Sequence, residues 1–289
     1  QGATRPMAEQ PVAPHRINQR LLNGLVRVLV VGCGGTGAAF ASGLPYLHQA
    51  MRALGHPGGL QVTVADGDLV SESNCVRQPF NVHHVGRNKA EVLVTGLNLW
   101  WGLAWQALPH HITQEDRLEG FDVVVGCVDN RAARRLLARL TRSAWSVRYW
   151  LDAGNDADFG QVVLGEPREQ SVSALRLPMV DEILPETVRP GPENNGPSCS
   201  AMEALTRQAP FTNHVLAHHM LFLLGQLFTR GELTHHGMFL NLGRGTVEPI
   251  PVDPAQWKAM QAVPAPPARG TKRTRSRARD DVHALPAAA

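Results

Sequence analysis

The chain has 289 residues, 43% of them apolar, enough to bury one large or two modest domains. No stretch is long and apolar enough to span a bilayer, and the first twenty residues lack the apolar segment of a signal peptide, so a membrane or exported protein is not expected. The net charge of +3 is uneven: RGTKRTRSRAR (269–279) holds six basic residues and no acid, and without it 22 basic residues face 25 acidic ones, about −3.

In chain order, the first fifteen residues are polar and Pro-containing and read as a flexible segment. RINQRLLNGLV (16–26) reads as a short helix, and RVLVVG (27–32) as a buried parallel strand. A helix is expected over 36–54, with Pro45 as a kink. QVTVAD (61–66) is the second strand. Residues 85–105 look helical, with Val85, Leu93, Leu97, Trp101 and Trp105 near one side. FDVVVGCV (121–128) is another buried strand, and DNRAARRLLARLT opens a helix. RYWLDAG (148–154) and FGQVVLG (159–165) are two more strands. VRPGPENNGPSCS (188–200) reads as a long loop, residues 204–228 as an apolar helix, and 237–252 as two strands about a turn at LGRG. The basic run near the end either contacts nucleic acid or is a solvated tail, and the flanking PAPPA and LPAAA favour the tail.

Alternating strands and helices with apolar strands predict an α/β fold, with helices on both faces of the sheet. Ligands of such sheets bind beyond the carboxyl ends of the strands. Three polar clusters fall there: GCGGTG (32–37), DGD (66–68) and CVDN (127–130). Gly32, Gly34 and Gly37 supply the GxGxxG spacing that brings phosphates to a helix N-terminus. Gly35 lies within the same loop.

Asp66 ends a strand where a ribose-binding acid is expected. A dehydrogenase needs little more there, yet DGDLVSESNCVRQ adds Asp68, Asn74, Arg77 and Gln78, and VGRNKA adds Lys89. Cations beside phosphates suit transfer chemistry, in which charge grows on a departing pyrophosphate. Asp129 is a candidate Mg²⁺ ligand, since Mg²⁺ takes one or two carboxylates plus phosphate oxygens. The set suits ATP with Mg²⁺ better than a nicotinamide cofactor. Structural alternatives stay open: Asp68 as a turn cap, Asp129 as the N-cap of the next helix, Arg77 and Lys89 as surface charges.

GCGGTG, DGDLVSESNCVRQ, VGRNKA and CVDN resemble, in order and spacing, the E1-like ThiF/MoeB/HesA superfamily. The nearest likeness is to the ThiF family encoded in bacterial PRTRC gene clusters. The likeness is specific over about 16–165 and looser beyond. It implies a Rossmann-like, doubly wound, mostly parallel sheet, with a C-terminal α+β extension in one domain over 16–255 and a basic, Pro-rich disordered tail over 256–289. It also implies adenylation of the C-terminal carboxylate of a ubiquitin-like β-grasp protein, with ATP and Mg²⁺. The glycine loop would hold the nucleotide and Asp66 its ribose. Asn74, Arg77, Gln78 and Lys89 would surround the phosphates, and Asp129, beside Asn130, would hold Mg²⁺. Family dimers lend an N-terminal arginine to the neighbouring site, and Arg16 or Arg20 is similarly placed. A homodimer is therefore expected, with an E2-like protein as a further partner.

The chain departs from many relatives in carrying no CxxC pair, so no zinc is expected. Its four scattered cysteines suit a reducing, cytoplasmic setting. Cys199, in GPSCS, is the candidate thioester cysteine, the alternative being an enzyme that stops at the adenylate. Cys33 and Cys127 read as packing residues and Cys75 as incidental. The pairs His83–His84, His110–His111, His218–His219 and His235–His236 read as surface or packing residues, because adjacent side chains point apart. Two other readings are a nicotinamide-dependent oxidoreductase and a non-catalytic binding scaffold.

Overall fold

The computed structural model describes residues 13–156, 158–168, 175–191 and 211–262. Two residues, His15–Arg16 (β1), pair antiparallel with Glu232–Leu233 (β8). The helix expected over 16–26 is instead this strand followed by a single 3-10 turn, Gln19–Leu22. Asn18 caps that turn, its Oδ1 accepting from Arg20 N–H at 3.1 Å, and Gly24 follows too soon for a longer helix.

The main sheet has eight strands in the order β10-β9-β7-β6-β5-β2-β3-β4. Its parallel half is β2 (Val26–Val31), β3 (Leu60–Ala65), β4 (Gln106–Leu108), β5 (Val123–Gly126) and β6 (Tyr149–Asn155). Valine runs dominate its centre because these strands are covered on both faces. Val28 stands between Val62 and Val123, all buried. From β6 onward the sheet turns antiparallel through β7 (Phe159–Gly165), β9 (His235–Asn241) and β10 (Thr246–Pro251). The expected hairpin about LGRG is present, with Gly245 at φ +67° in its turn.

The order 4-3-2-5-6 means that β2→β3 and β5→β6 wind away from one central pair in opposite directions. Right-handed crossovers then put α1 (Gly35–Ala53) on one face and α3 (Arg131–Ser143) on the other. α1 shares its face with α2 (Lys89–Trp101) and with α5 (Thr212–Arg230), which follows the four-residue α4 (Val180–Ile183) in chain order. α1 is not broken at Pro45. α2 is shorter than expected at both ends: Gly86, at φ +83°, keeps Val85 out of it, and Gly102, at φ +65°, stops it. Trp105 therefore lies outside the helix, its indole N–H donating to Leu60 O at 3.3 Å.

The boundary expected at 256 for the tail falls inside another helix, α6 (Pro254–Ala262). Trp257 anchors that helix: it is buried, and its indole N–H donates to Pro251 O at 2.9 Å. The run 269–279 and Cys199 lie outside the described residues. Among the described residues no helix is long and apolar enough to cross a membrane.

Candidate active site

β2 and β5 are neighbours whose chains depart to opposite faces, which opens a crevice at their carboxyl ends. The glycine loop sits there. Gly32 has φ +95°, and a Cβ on it would lie 2.6 Å from Cys127 O. A Cβ on Gly37 would lie 1.9 Å from Gly32 O, so the loop closes on its own backbone. Gly34, the N-cap of α1, has nothing within 4 Å of its Cβ direction and faces open space.

Asp66 is buried and ties this loop to the next strand end. Its carboxylate accepts from Cys33 N–H at 2.5 Å and from Asp68 N–H at 2.7 Å. Each oxygen retains further lone-pair capacity. Asn88 donates to Asp66 O at 2.8 Å and caps α2 through Glu91 N–H at 3.1 Å. That cap sets Lys89 at the first helical position, a costly place for a cation because the helix dipole is positive there. The Lys89 side chain is only 8% exposed, and its ammonium donates to Asp68 Oδ2 at 2.8 Å. Asp68 is therefore the counter-ion of a buried lysine rather than a simple turn cap, and Lys89 is not a surface charge.

Asn74 builds the turn that follows. Its Oδ1 accepts from Ser71 N–H at 2.9 Å, and its main-chain carbonyl accepts from the N–H groups of Arg77 (3.2 Å) and Gln78 (2.9 Å). Arg77 and Gln78 are half-buried. Beyond β5 the N-cap of α3 is Asn130, which accepts from Ala133 N–H at 2.7 Å. Asp129 is thus not the cap. It is exposed, and Asn130 Nδ2 donates to its Oδ1 at 3.3 Å.

Several residues that brace this site carry no motif. Arg134, buried on α3, donates from Nε to both oxygens of the buried Asp152 (3.0 and 2.9 Å). Its Nη2 donates to Val128 O at 3.0 Å and Ala153 O at 3.2 Å, and so holds the loop that carries Asp129. Burial raises the Asp152 carboxyl to about 6, against the pull of the guanidinium. Arg134 shares a helical face with buried Leu137, Ala138 and Thr141, so a charge on an apolar stripe was its signal in the sequence. Asn213, at the start of α5, accepts from Thr36 Oγ1 at 3.0 Å and Asn155 Nδ2 at 2.9 Å. It lies so close to Gly35 that a Cβ there would meet its Nδ2 at 2.1 Å.

His111 stands against the Gly67 turn, its Nε2 3.5 Å from Asp68 Oδ1. Ligand atoms of Asp66, Asp68 and His111 come within 4.8 Å of one another. The Lys89 ammonium sits on Asp68 Oδ2, and each Asp66 oxygen accepts one N–H group, so both acids are already engaged within the chain. Cys33 and Cys127 are packed thiols whose pKa burial pushes far up, as expected of packing residues. Arg16 is not brought to the site of its own chain. Ile17 N–H bonds to Gly231 O at the far end of α5, whose first turn touches the glycine loop. The nineteen residues of α5 separate the two by about 27 Å.

A glycine loop at the switch point of a doubly wound sheet, with an acid on the neighbouring strand, defines an α/β protein of Rossmann type. The ThiF family model matches residues 10–241, and the chain belongs to that family. The SUMO-activating enzyme subunit uba-2 of Caenorhabditis elegans is 28% identical over 142 residues, 47% of this chain and 22% of that protein. Among solved structures, PaaA superposes with a TM-score of 0.56 at 15% identity, covering 81% of this chain and 65% of that one. E. coli MccB with ATP gives 0.52 at 16% identity, with the same coverage. These likenesses show the fold. The chain spans about a fifth of the curated relative and about two thirds of the solved chains.

Proposed function

We propose that this protein uses ATP to adenylate a carboxylate, the C-terminal carboxylate of a ubiquitin-like β-grasp protein. The observation that carries the reading is buried Lys89 paired with the exposed Asp68, linked through Asp66 to the glycine loop. A nicotinamide enzyme needs the Asp66 position alone, whereas a buried ammonium beside the loop serves triphosphate chemistry. Membership of the ThiF family supports the reading, as does the fold shared with a protein solved with ATP.

In this reading the loop N–H groups and the α1 N-terminus take phosphate, and Asp66 takes ribose hydroxyls on its remaining lone pairs. Arg77 and Lys89 neutralise the β- and γ-phosphates, with Asn74 and Gln78 beside them. Asp129, exposed and oriented by Asn130, fits one carboxylate of a Mg²⁺ site completed by phosphate oxygens. Bound Mg²⁺ would supply charge neutralisation on the triphosphate.

A substrate carboxylate oxygen forms a bond to the α-phosphorus, the bond from that phosphorus to the bridging oxygen breaks, and pyrophosphate leaves with the electron pair. The nucleophile is already anionic, so no general base is needed, and positioning and charge stabilisation do the work. Cys199 is the acceptor in a following step: its thiolate attacks the acyl carbon and AMP departs, leaving a thioester. Two copies act together, Arg16 or Arg20 of one serving the site of the other, and an E2-like protein receives the product.

The test is ATP–pyrophosphate exchange with small proteins encoded beside this one. Exchange that depends on one such protein and vanishes in Asp129→Ala is expected. A fully active Asp129→Ala removes the magnesium role, and NAD binding without ATP binding defeats the reading.

A further inference from the structure

α1 begins without the side-chain cap that the next two helices have. The N-caps of α2 and α3 are Asn88 and Asn130, whose side chains accept from Glu91 N–H at 3.1 Å and from Ala133 N–H at 2.7 Å. The N-cap of α1 is Gly34, which has no side chain to offer. The first N–H groups of an α-helix have no acceptor within the helix. A capping oxygen on α1 would occupy donors that a phosphate needs, so a bare cap suits an anion site. It also leaves the turn weak. Gly35 and Gly37 both fall within it, and glycine is the poorest helix former after proline.

Asn213 holds this turn from the side. It is only 4% exposed and stands in the first turn of α5. Its Oδ1 accepts from two donors at once: Thr36 Oγ1 at 3.0 Å, in the first turn of α1, and Asn155 Nδ2 at 2.9 Å, at the end of β6. With the oxygen so engaged, the NH₂ end of the amide turns to Gly35, where only a glycine leaves room for it. One buried amide thus joins the glycine loop, a second strand end and α5.

We propose that Asn213 is a positioning residue for the nucleotide: it fixes the first turn of α1 from outside the helix, so that the N–H groups of that turn are held in place for phosphate. The inference rests on the reading that ATP binds at the glycine loop, and adds the residue that keeps the loop in shape. Donors ordered in advance bind an anion better, because less ordering is left to be done on binding. Asn213→Asp separates this role from simple bracing. The variant is isosteric and keeps an oxygen for both accepted bonds, but it sets a negative charge beside the incoming phosphates.

Calorimetric titration of the full chain with ATP is the test. Asn213→Asp is expected to fold and to bind ATP roughly tenfold more weakly than wild type. Thr36→Val keeps the shape of its side chain but removes the hydroxyl that Asn213 accepts, and it decides the matter if the buried aspartate disturbs folding. It is expected to weaken ATP binding about fivefold, and Thr36→Ser to restore it. In pyrophosphate exchange both losses are expected in the KM for ATP rather than in kcat. Hydrogen exchange over residues 33–40 is expected to quicken in Thr36→Val while the central strands keep their protection. ATP affinity equal to wild type in either folded variant overturns the proposal, as does unchanged exchange over 33–40. A wild type that binds no ATP sinks the proposed function together with this inference. Variants that match an ATP-binding wild type sink the inference alone.

Discussion

Replacing Arg134 by methionine strips the counter-ion from Asp152 while keeping much of the side-chain volume. Asp152 is fully buried, and its carboxylate bonds to the guanidinium through both oxygens. Breaking a buried pair from one side costs about 3–5 kcal/mol, because the remaining charge is uncompensated. The carbonyls of Val128 and Ala153 also lose their donor, at about 1 kcal/mol each where water cannot replace it. A loss of roughly 5–7 kcal/mol at pH 8 follows, comparable with the whole stability of a marginal domain.

The pH dependence separates this account from simple loss of packing. In the wild type Asp152 is already raised to about 6 by burial. Removing the cation raises it further. A carboxyl whose folded pKa lies above its unfolded one binds its proton more readily when folded, so the folded state gains relative stability as pH falls. Between pH 8 and 6 the deficit of the variant relative to wild type should shrink, by up to about 1.4 kcal/mol per unit. Urea denaturation at pH 6 and pH 8 measures it, and Arg134→Met with Asp152→Asn should recover much of the loss. A deficit below 1 kcal/mol, or one that is equal at both pH values, would refute the reasoning.

Three further outcomes follow from the glycine loop and from buried His236. Gly37→Ala pushes a Cβ to 1.9 Å from Gly32 O, backbone against backbone, and should cost about 3 kcal/mol or more together with nucleotide binding. Gly34→Ala meets open space, so it should stay within about 1 kcal/mol of wild type by thermal melting yet weaken ATP binding in calorimetry. His236 is fully buried with its pKa lowered to about 4 by desolvation, so it favours folding above 6.5 and loses that contribution as pH falls toward 4. His236→Phe should therefore close its gap to wild type by up to about 1.4 kcal/mol per pH unit over that range, as read from denaturation midpoints.

The central strands were legible because buried parallel strands leave continuous valine runs, and the glycine loop because its spacing follows from backbone contact. β4 was not: QAL is three residues on a half-exposed edge, too short for any period. The helix expected over 85–105 counted Val85 and Trp105 on its apolar side, and only the positive φ of Gly86 and Gly102 excludes them. At the site, the motifs picked out Asp66, Lys89 and Asp129, but the pairing of Lys89 with Asp68 needs the loop after β3 to meet the N-terminus of α2. Asn213 was illegible for a plainer reason: its partner Thr36 lies 177 positions away.

The separation of Arg16 from the glycine loop of its own chain has a genetic consequence if two copies work as a pair. Each site would draw on both polypeptides, so a chain lacking Arg16 and a chain lacking Asp129 would be defective in different halves of a shared site. Neither would act alone. Mixed and reassociated in equal amounts, half of the pairs would be hybrids with one complete site each, restoring about a quarter of the wild-type sites. Two dead alleles would then rescue one another.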